Sequence, residues 1–242
     1  MTYEYQRILL SSFVPFDPLV LAKETEKIVC KNDARKYTDF YCTGVYGGIS
    51  TGYLVGCCLR CIFCWVDFSR DYPETYGEFY TPEQAVEKLV ANAKKSGLKK
   101  VRISGGEPTL GKEHLLKVLE LVEKIGLFFV LETNGILLGS DPEYLQALKK
   151  HRNLYVRISL KAGTPEGFEK RTGAIGKFYE LPYLAVEQAI KEGLYFRVAC
   201  MSDSRLMPAE ERMEMVRKLK EIGYSDYLEE EICDPYETSI VR

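Results

Sequence analysis

Four of the chain's eight cysteines fall within eight residues, in the run Gly56-Cys57-Cys58-Leu59-Arg60-Cys61-Ile62-Phe63-Cys64-Trp65. Thiols packed this closely in a chain of this size point to a metal. A disulfide framework belongs to shorter secreted chains and spreads its cysteines. Two triplets can be drawn. Cys57, Cys61 and Cys64 are spaced C-x3-C-x2-C, and Cys58, Cys61 and Cys64 are spaced C-x2-C-x2-C, the opening of a bacterial ferredoxin run. That run requires a fourth cysteine followed by proline, and Trp65-Val66-Asp67-Phe68 stands there instead. Three thiolates on a four-iron cubane leave one iron open, and an open position is a binding site, as at catalytic zinc. Structural zinc wants four ligands, usually in two separated pairs, and neither His114 nor His151 is near in sequence. A thioredoxin-like pair would use only Cys61 and Cys64. Simple burial accounts for Cys30, Cys42, Cys200 and Cys233, which stand singly, but not for four cysteines in eight residues.

The second constellation is Gly105-Gly106-Glu107-Pro108. Two glycines let backbone approach a ligand with no Cβ in the way. Glu107 offers a carboxylate to an ammonium group, and Pro108 fixes the turn. Residues 106–112 also read G-x-x-x-x-G-K, but Glu113 occupies the place of the Ser or Thr that binds Mg²⁺, Pro108 removes an N–H, and Glu107 would repel phosphate. Nucleotide hydrolysis is therefore set aside.

These groups need elements to hold them. Strand candidates at 49–55, 100–104, 127–132, 154–161, 195–201 and 227–233 alternate with helical stretches at about 82–96, 112–125, from 142, 165–171, 182–191 and 209–221. Alternation of this kind gives a parallel sheet, either open and doubly wound or a partial barrel, with chemistry at the C-terminal ends of the strands. The distinctive residues fall there: the cysteines after the first strand, Ser104 to Pro108 after the second, Glu132 to Gly135 after the third, Ser159, Lys161 and Gly163 after the fourth. Arg197 and Cys200 lie on the fifth strand and Glu229 to Glu231 on the sixth. The region after Gly48 holds 194 residues, against about 250 in a typical eightfold barrel. The expected fold is thus α/β, an incomplete parallel (β/α)6 barrel of partial TIM type. Residues 1–46 read as an N-terminal extension, irregular apart from an amphipathic stretch at 19–30, and 47–242 as the core domain. The extension is expected to cover one sheet edge. A net charge of −2, from 33 basic and 35 acidic residues, argues against charge-driven nucleic-acid binding. No apolar run approaches a membrane span, and no signal peptide is read. The expected location is cytoplasmic.

The two motifs together resemble the radical S-adenosylmethionine (SAM) enzymes, closest to the short branch of pyruvate formate-lyase activating enzyme and molybdenum-cofactor biosynthesis protein A. The family signature is C-x3-C-x2-C with an aromatic residue before the last cysteine, matched by Cys57, Cys61, Phe63 and Cys64. The resemblance implies that these three cysteines carry catalysis. They would bind a [4Fe–4S] cluster whose open iron chelates SAM for cleavage to methionine and a 5′-deoxyadenosyl radical. Cys58 is then not a ligand. Phe63 would lie by the adenine, and Gly105, Gly106, Glu107 and Pro108 would hold the methionine amino group. Glu132-Thr133-Asn134-Gly135 is similar to the branch's "DTNG", Ser159-Leu160-Lys161 to its "DIK" with a SAM-contacting lysine, and Arg171-Thr172-Gly173 to its "LTG". Trp65, Glu132, Asn134, Ser159 and Arg197 complete the expected SAM contacts. Ser159 in place of Asp, and the lack of a histidine on the sixth strand, depart from the activating enzymes. The implied partners are a reduced ferredoxin or flavodoxin as electron donor, and a substrate that is either a glycyl-radical protein or a small molecule of cofactor or modified-nucleoside synthesis. A non-catalytic iron–sulfur carrier would want a fourth cysteine and no SAM-binding turn.

Overall fold

The computed structural model describes residues 5–7 and 14–233. In chain order the elements are α1 (Pro18–Val29), β1 (Cys30–Lys31), β2 (Ala34–Thr43), β3 (Ile49–Leu54), α2 (Asp67–Asp71), β4 (Glu78–Tyr80), α3 (Pro82–Lys95), β5 (Lys100–Ser104), α4 (Lys112–Ile125), β6 (Phe128–Thr133), α5 (Ile136–Ser140), α6 (Pro142–Lys149), β7 (Leu154–Leu160), α7 (Pro165–Thr172), α8 (Glu180–Glu192), β8 (Phe196–Met201), α9 (Ala209–Glu221) and β9 (Leu228–Glu231). The longer helices begin where the sequence supplies caps. Asp17 accepts from Leu19 N–H, Thr81 and Gln84 form a reciprocal capping box around Pro82, and Asp141 caps α6 ahead of Pro142. Gly126 ends α4 in the left-handed region, at φ 77°.

One sheet runs β1-β2-β3-β5-β6-β7-β8-β9, with β4 on β2. The six strands from β3 to β9 on that path are mutually parallel. Among the described residues β3 does not pair with β9, so the six-stranded barrel is incomplete, as expected. Alternation sorts each strand. Val101 and Ile103, Phe129 and Leu131, Val156, Ile158 and Leu160, and Val198 and Cys200 join the apolar core with Leu89, Leu115, Val118, Leu148, Val186 and Leu219 of the surrounding helices. The intervening residues take the concave face. There Arg157 of β7 bonds Glu229 and Glu231 of β9 across the intervening β8, a reach possible only from one shared face.

The region before Ile49 departs from the sequence reading, which places no strand there. β2 is ten residues long and pairs antiparallel with β3 from Tyr37↔Leu54 to Thr43↔Ile49. Its charged residues disguise it. Arg35 is fully buried because Nε and Nη1 donate to the carbonyls of Leu110 and Val29, and the Lys36 ammonium caps the carbonyls of Pro73 and Glu74. Among the described residues no helix is long and apolar enough to cross a membrane.

Candidate active site

The cysteines lie on the loop leaving β3. Backbone from two directions fixes that loop. Gly106 N–H donates to Leu54 O and Glu107 N–H to Gly56 O, both at 2.9 Å. Arg60 N–H donates to Thr172 O (2.9 Å) and Ile62 N–H to Arg171 O (3.0 Å) at the end of α7. A Cβ on Gly106 would run into the backbone of residues 54–56. This glycine therefore serves a protein–protein approach, that of the turn after β5 onto the end of β3. Gly105 takes φ +88° in the same turn. Pro108 follows within it.

Glu107 is 4% exposed. Its Oε1 accepts from Thr109 N–H (3.1 Å), Thr109 Oγ1 (2.7 Å) and Thr133 Oγ1 (2.7 Å), and its Oε2 from Asn134 N–H (2.9 Å). The carboxylate thus ties the turn after β5 to the turn after β6, and Oε2 keeps capacity for a further donor. Asn134 carries the tie to the cysteines: Nδ2 lies 3.3 Å from Cys58 Sγ and 3.7 Å from Cys57 Sγ. Lys161, at the end of β7, donates to Ser159 Oγ (2.6 Å), sits over the Phe63 ring at 5.7 Å and is near enough to Cys61 to favour its thiolate. Ser159 in turn donates to Glu231 (3.1 Å). Trp65 is 42% exposed and meets Tyr53 edge-on at 5.8 Å.

Glu132 stands deeper on the concave face. It accepts from Arg102 (2.7 Å), Ser104 (3.0 Å) and the Tyr46 hydroxyl (2.5 Å). Tyr46 precedes β3 in the left-handed conformation, at φ 54°, and so enters from the N-terminal end of the strands. Arg197 is a correction to the expected set. It sits at the start of β8 and pairs with Asp226, on the loop before β9. Although Arg197 stands beside Arg157 in register, its charge is taken up by that loop, at the N-terminal end of β9, and not by the residues around the cysteine loop.

The environment also sets the acidities. Burial pushes the Cys61 thiol up to about 12, with Lys161 opposing. The neighbouring Cys58 thiol holds Cys57 below the usual thiol range, while Cys58 itself is raised and belongs to the apolar core. Burial works against ionising Glu231, but Lys161 and Arg157 outweigh it and keep that carboxyl below its ordinary value.

The profile of the radical SAM superfamily matches residues 53–229. The chain belongs to the radical SAM superfamily. Among characterised and curated relatives it is 31% identical over 135 residues to the probable GTP 3′,8-cyclase of Thermococcus kodakarensis, covering 56% of this chain and 41% of that one. It is 32% identical over 140 residues to the GTP 3′,8-cyclase of Aquifex aeolicus, covering 56% and 42%. The chain thus spans less than half the length of these relatives. Its fold is similar to that of Streptococcus suis SuiB bound to S-adenosylmethionine (TM-score 0.59, 19% identity, 75% of this chain and 39% of that one). It is also similar to anSMEcpe with bound AdoMet and a peptide (TM-score 0.55, 23% identity, 74% and 49%).

As a radical SAM enzyme the protein uses a [4Fe–4S] cluster and SAM, and it needs a reductant. The donor chemistry fits the cluster, for thiolates are its ligands and Cys57, Cys61 and Cys64 share one loop anchored on both sides. Among the described residues no three His, Cys, Asp or Glu side chains converge on a single-ion position; a cubane takes its thiolates on separate irons. Several residues of this site carry no role in the sequence reading: Tyr46, Arg102 and Arg157, and also Arg60 and Arg70, which donate to carbonyls of the cysteine loop, with Asp71, which pairs with both arginines. Arg102 and Arg157 had a signal, since a charge at alternate positions of an otherwise apolar strand marks a concave polar face. Arg60 and Arg70 had none beyond their nearness to the cysteines.

Proposed function

We propose that Cys57, Cys61 and Cys64 hold the [4Fe–4S] cluster, and that this radical SAM enzyme acts on a small polar molecule rather than on a glycyl-radical partner protein. When bound, the cluster and SAM supply a 5′-deoxyadenosyl radical able to take a hydrogen atom from a substrate. The single observation that carries the small-molecule reading is the concave face below the cysteine loop. Arg102 and Arg157 are buried there, while Glu132, Glu229 and Glu231 keep 21%, 40% and 29% of their side-chain surface open. Orienting polar groups of this kind are what a small-molecule pocket requires. The curated relatives support the same direction, since GTP 3′,8-cyclases act on a nucleotide.

The chain's own residues then have separate tasks. Asn134 steadies Cys57 and Cys58. Glu107 joins the two turns that face the loop, and the Gly105–Pro108 turn, Phe63, Trp65, Ser159 and Lys161 form the rim where SAM binds. The electron comes from outside, from a reduced ferredoxin or flavodoxin.

The test uses anaerobically reconstituted protein, dithionite and SAM deuterated at no position, with candidate substrates deuterated instead. The expected result is brown protein with about four iron and four sulfide, the cubane stoichiometry, lost on Cys57→Ala, Cys61→Ala or Cys64→Ala and retained on Cys58→Ala. Deuterium should then pass from a small molecule, GTP being the first assayed, into 5′-deoxyadenosine. A glycyl radical formed on a partner protein, with no small molecule donating deuterium, would overturn the substrate reading.

A further inference from the structure

The cysteine loop rests on buried charge that none of the tasks above uses. Arg60, within the loop, is 0% exposed and donates from Nη1 to the carbonyls of Cys57 (2.8 Å) and Leu59 (2.9 Å). Arg70, on α2, is 1% exposed and donates from Nη1 to Cys61 O (2.7 Å). Asp71, 0% exposed, grips the other edge of Arg70 at Nε (2.5 Å) and Nη2 (2.8 Å) and stands 3.3 Å from Arg60 Nε. Two guanidinium groups thus hold three carbonyls of one loop. Through those carbonyls the two charges stand close to the triplet, and their fields reach its thiols, that of Arg60 at Cys57 and that of Arg70 at Cys61 and Cys64.

Neutral donors such as Asn or Gln can hold carbonyls, and burying charge is costly even when it is paired. What a guanidinium adds is its field. The potential of an iron–sulfur cluster depends on nearby charge, hydrogen bonding and exposure. Reduction makes the cluster more negative, so an adjacent cation favours it. The order in space decides the sign. The arginines contact the loop, and Asp71 touches only their far edges. Asp67, the other buried acid of α2, turns to Phe68 N–H of its own helix (2.9 Å).

We propose that Arg60 and Arg70 raise the reduction potential of the iron–sulfur cluster, with Asp71 as their counterweight. They are positioning residues, touching the protein and not the substrate. The proposal rests on the reading that Cys57, Cys61 and Cys64 hold the cluster. Its test is an EPR-monitored redox titration of the full chain, reconstituted without oxygen and titrated without SAM. Arg70→Gln and Arg60→Gln are expected to shift the midpoint to more negative values, with about a tenfold fall in the ratio of reduced to oxidised cluster at fixed poise, or about 59 mV for one electron. Arg70→Lys, which keeps the charge and loses the fork, should bring the midpoint most of the way back to that of the wild type. Asp71→Asn should move the midpoint the other way. If Arg70→Gln takes up no cluster, the opposition between Arg60→Gln and Asp71→Asn decides. Unmoved midpoints, or shifts of one sign in all variants as loosening alone would give, overturn the proposal. A cluster retained by Cys57→Ala, Cys61→Ala and Cys64→Ala would instead sink the ligand reading.

Discussion

At the residue scale, Glu107 and His114 show how one side chain joins segments that sequence holds apart. Glu107→Ala strips acceptors from four donors on two turns. Each buried donor left unpaired costs about 1–3 kcal/mol, so the variant should lose thermal stability as well as SAM affinity. Glu107→Gln, which keeps an acceptor oxygen, should recover more of the stability than of the affinity. A variant as stable as wild type would detach Glu107 from the tie between the turns. His114 is buried between β2 and α4, with Nε2 2.8 Å from the Tyr37 hydroxyl and Nδ1 2.7 Å from Asp33 O. Burial pushes its pKa down to about 4 from 6.5. The unfolded chain therefore binds the proton first. The stability that the neutral ring contributes is fully present above about pH 6.5 and is lost as pH falls towards 4. The gap is worth up to about 3 kcal/mol. Urea midpoints measured at pH 7 and pH 4.5 should fall further for wild type than for His114→Gln. Parallel falls would show that this ring does not titrate with unfolding.

At the element scale, the six parallel strands and the helices between them were legible because each carries a regular pattern and its own punctuation. Pro82, Gly126 and Asp141 mark ends that the structure keeps. The cysteine and Gly-Gly-Glu-Pro motifs were legible for a related reason: each lies within eight residues of chain. What could not be read was pairing over distance. β2 hides behind Arg35 and Lys36, whose partners lie on other segments, and α2 is a five-residue helix whose buried residues are Asp67, Arg70 and Asp71 rather than an apolar stripe. Arg197 fails in the opposite sense, since its partner Asp226, which draws the charge to the loop before β9, is brought to it only by the fold. The role of α1 also emerges only in space. Its Thr25 and Val29 press on Gly56, the residue before Cys57, where φ is +85° and a new Cβ would lie 2.6 Å from Thr25 Cγ2. Gly56→Ala combines backbone strain with that clash, so a loss of more than about 1 kcal/mol is expected, together with a reduced iron load. Thr25→Ser in the same background removes the methyl and should restore part of both. Iron content that ignores Gly56→Ala would separate α1 from the cysteine loop.

At the scale of the whole molecule, the sheet order on its main path follows the order of the chain, with only β4 stepping aside to pair with β2. Each new βα unit can therefore dock on the one before it as the polypeptide lengthens, which keeps most sheet contacts local and favours growth from the N-terminus. The cysteine loop breaks that rule. Its Arg60 and Ile62 amides find their acceptors at Thr172 and Arg171, on a helix made long after the cysteines have left the ribosome. Assembly of the protein thus has a built-in delay: the thiols emerge early, but their cradle closes only when α7 arrives. A chain ending at Gly163 should bind far less iron and sulfide on reconstitution than one ending at Tyr179, although both contain every cysteine of the loop. Equal loading would show that the loop is shaped before α7 exists. If the delay holds, metal delivery in the cell follows synthesis of the second half of the chain, and nascent thiols spend that interval exposed to whatever oxidant or stray metal reaches them first.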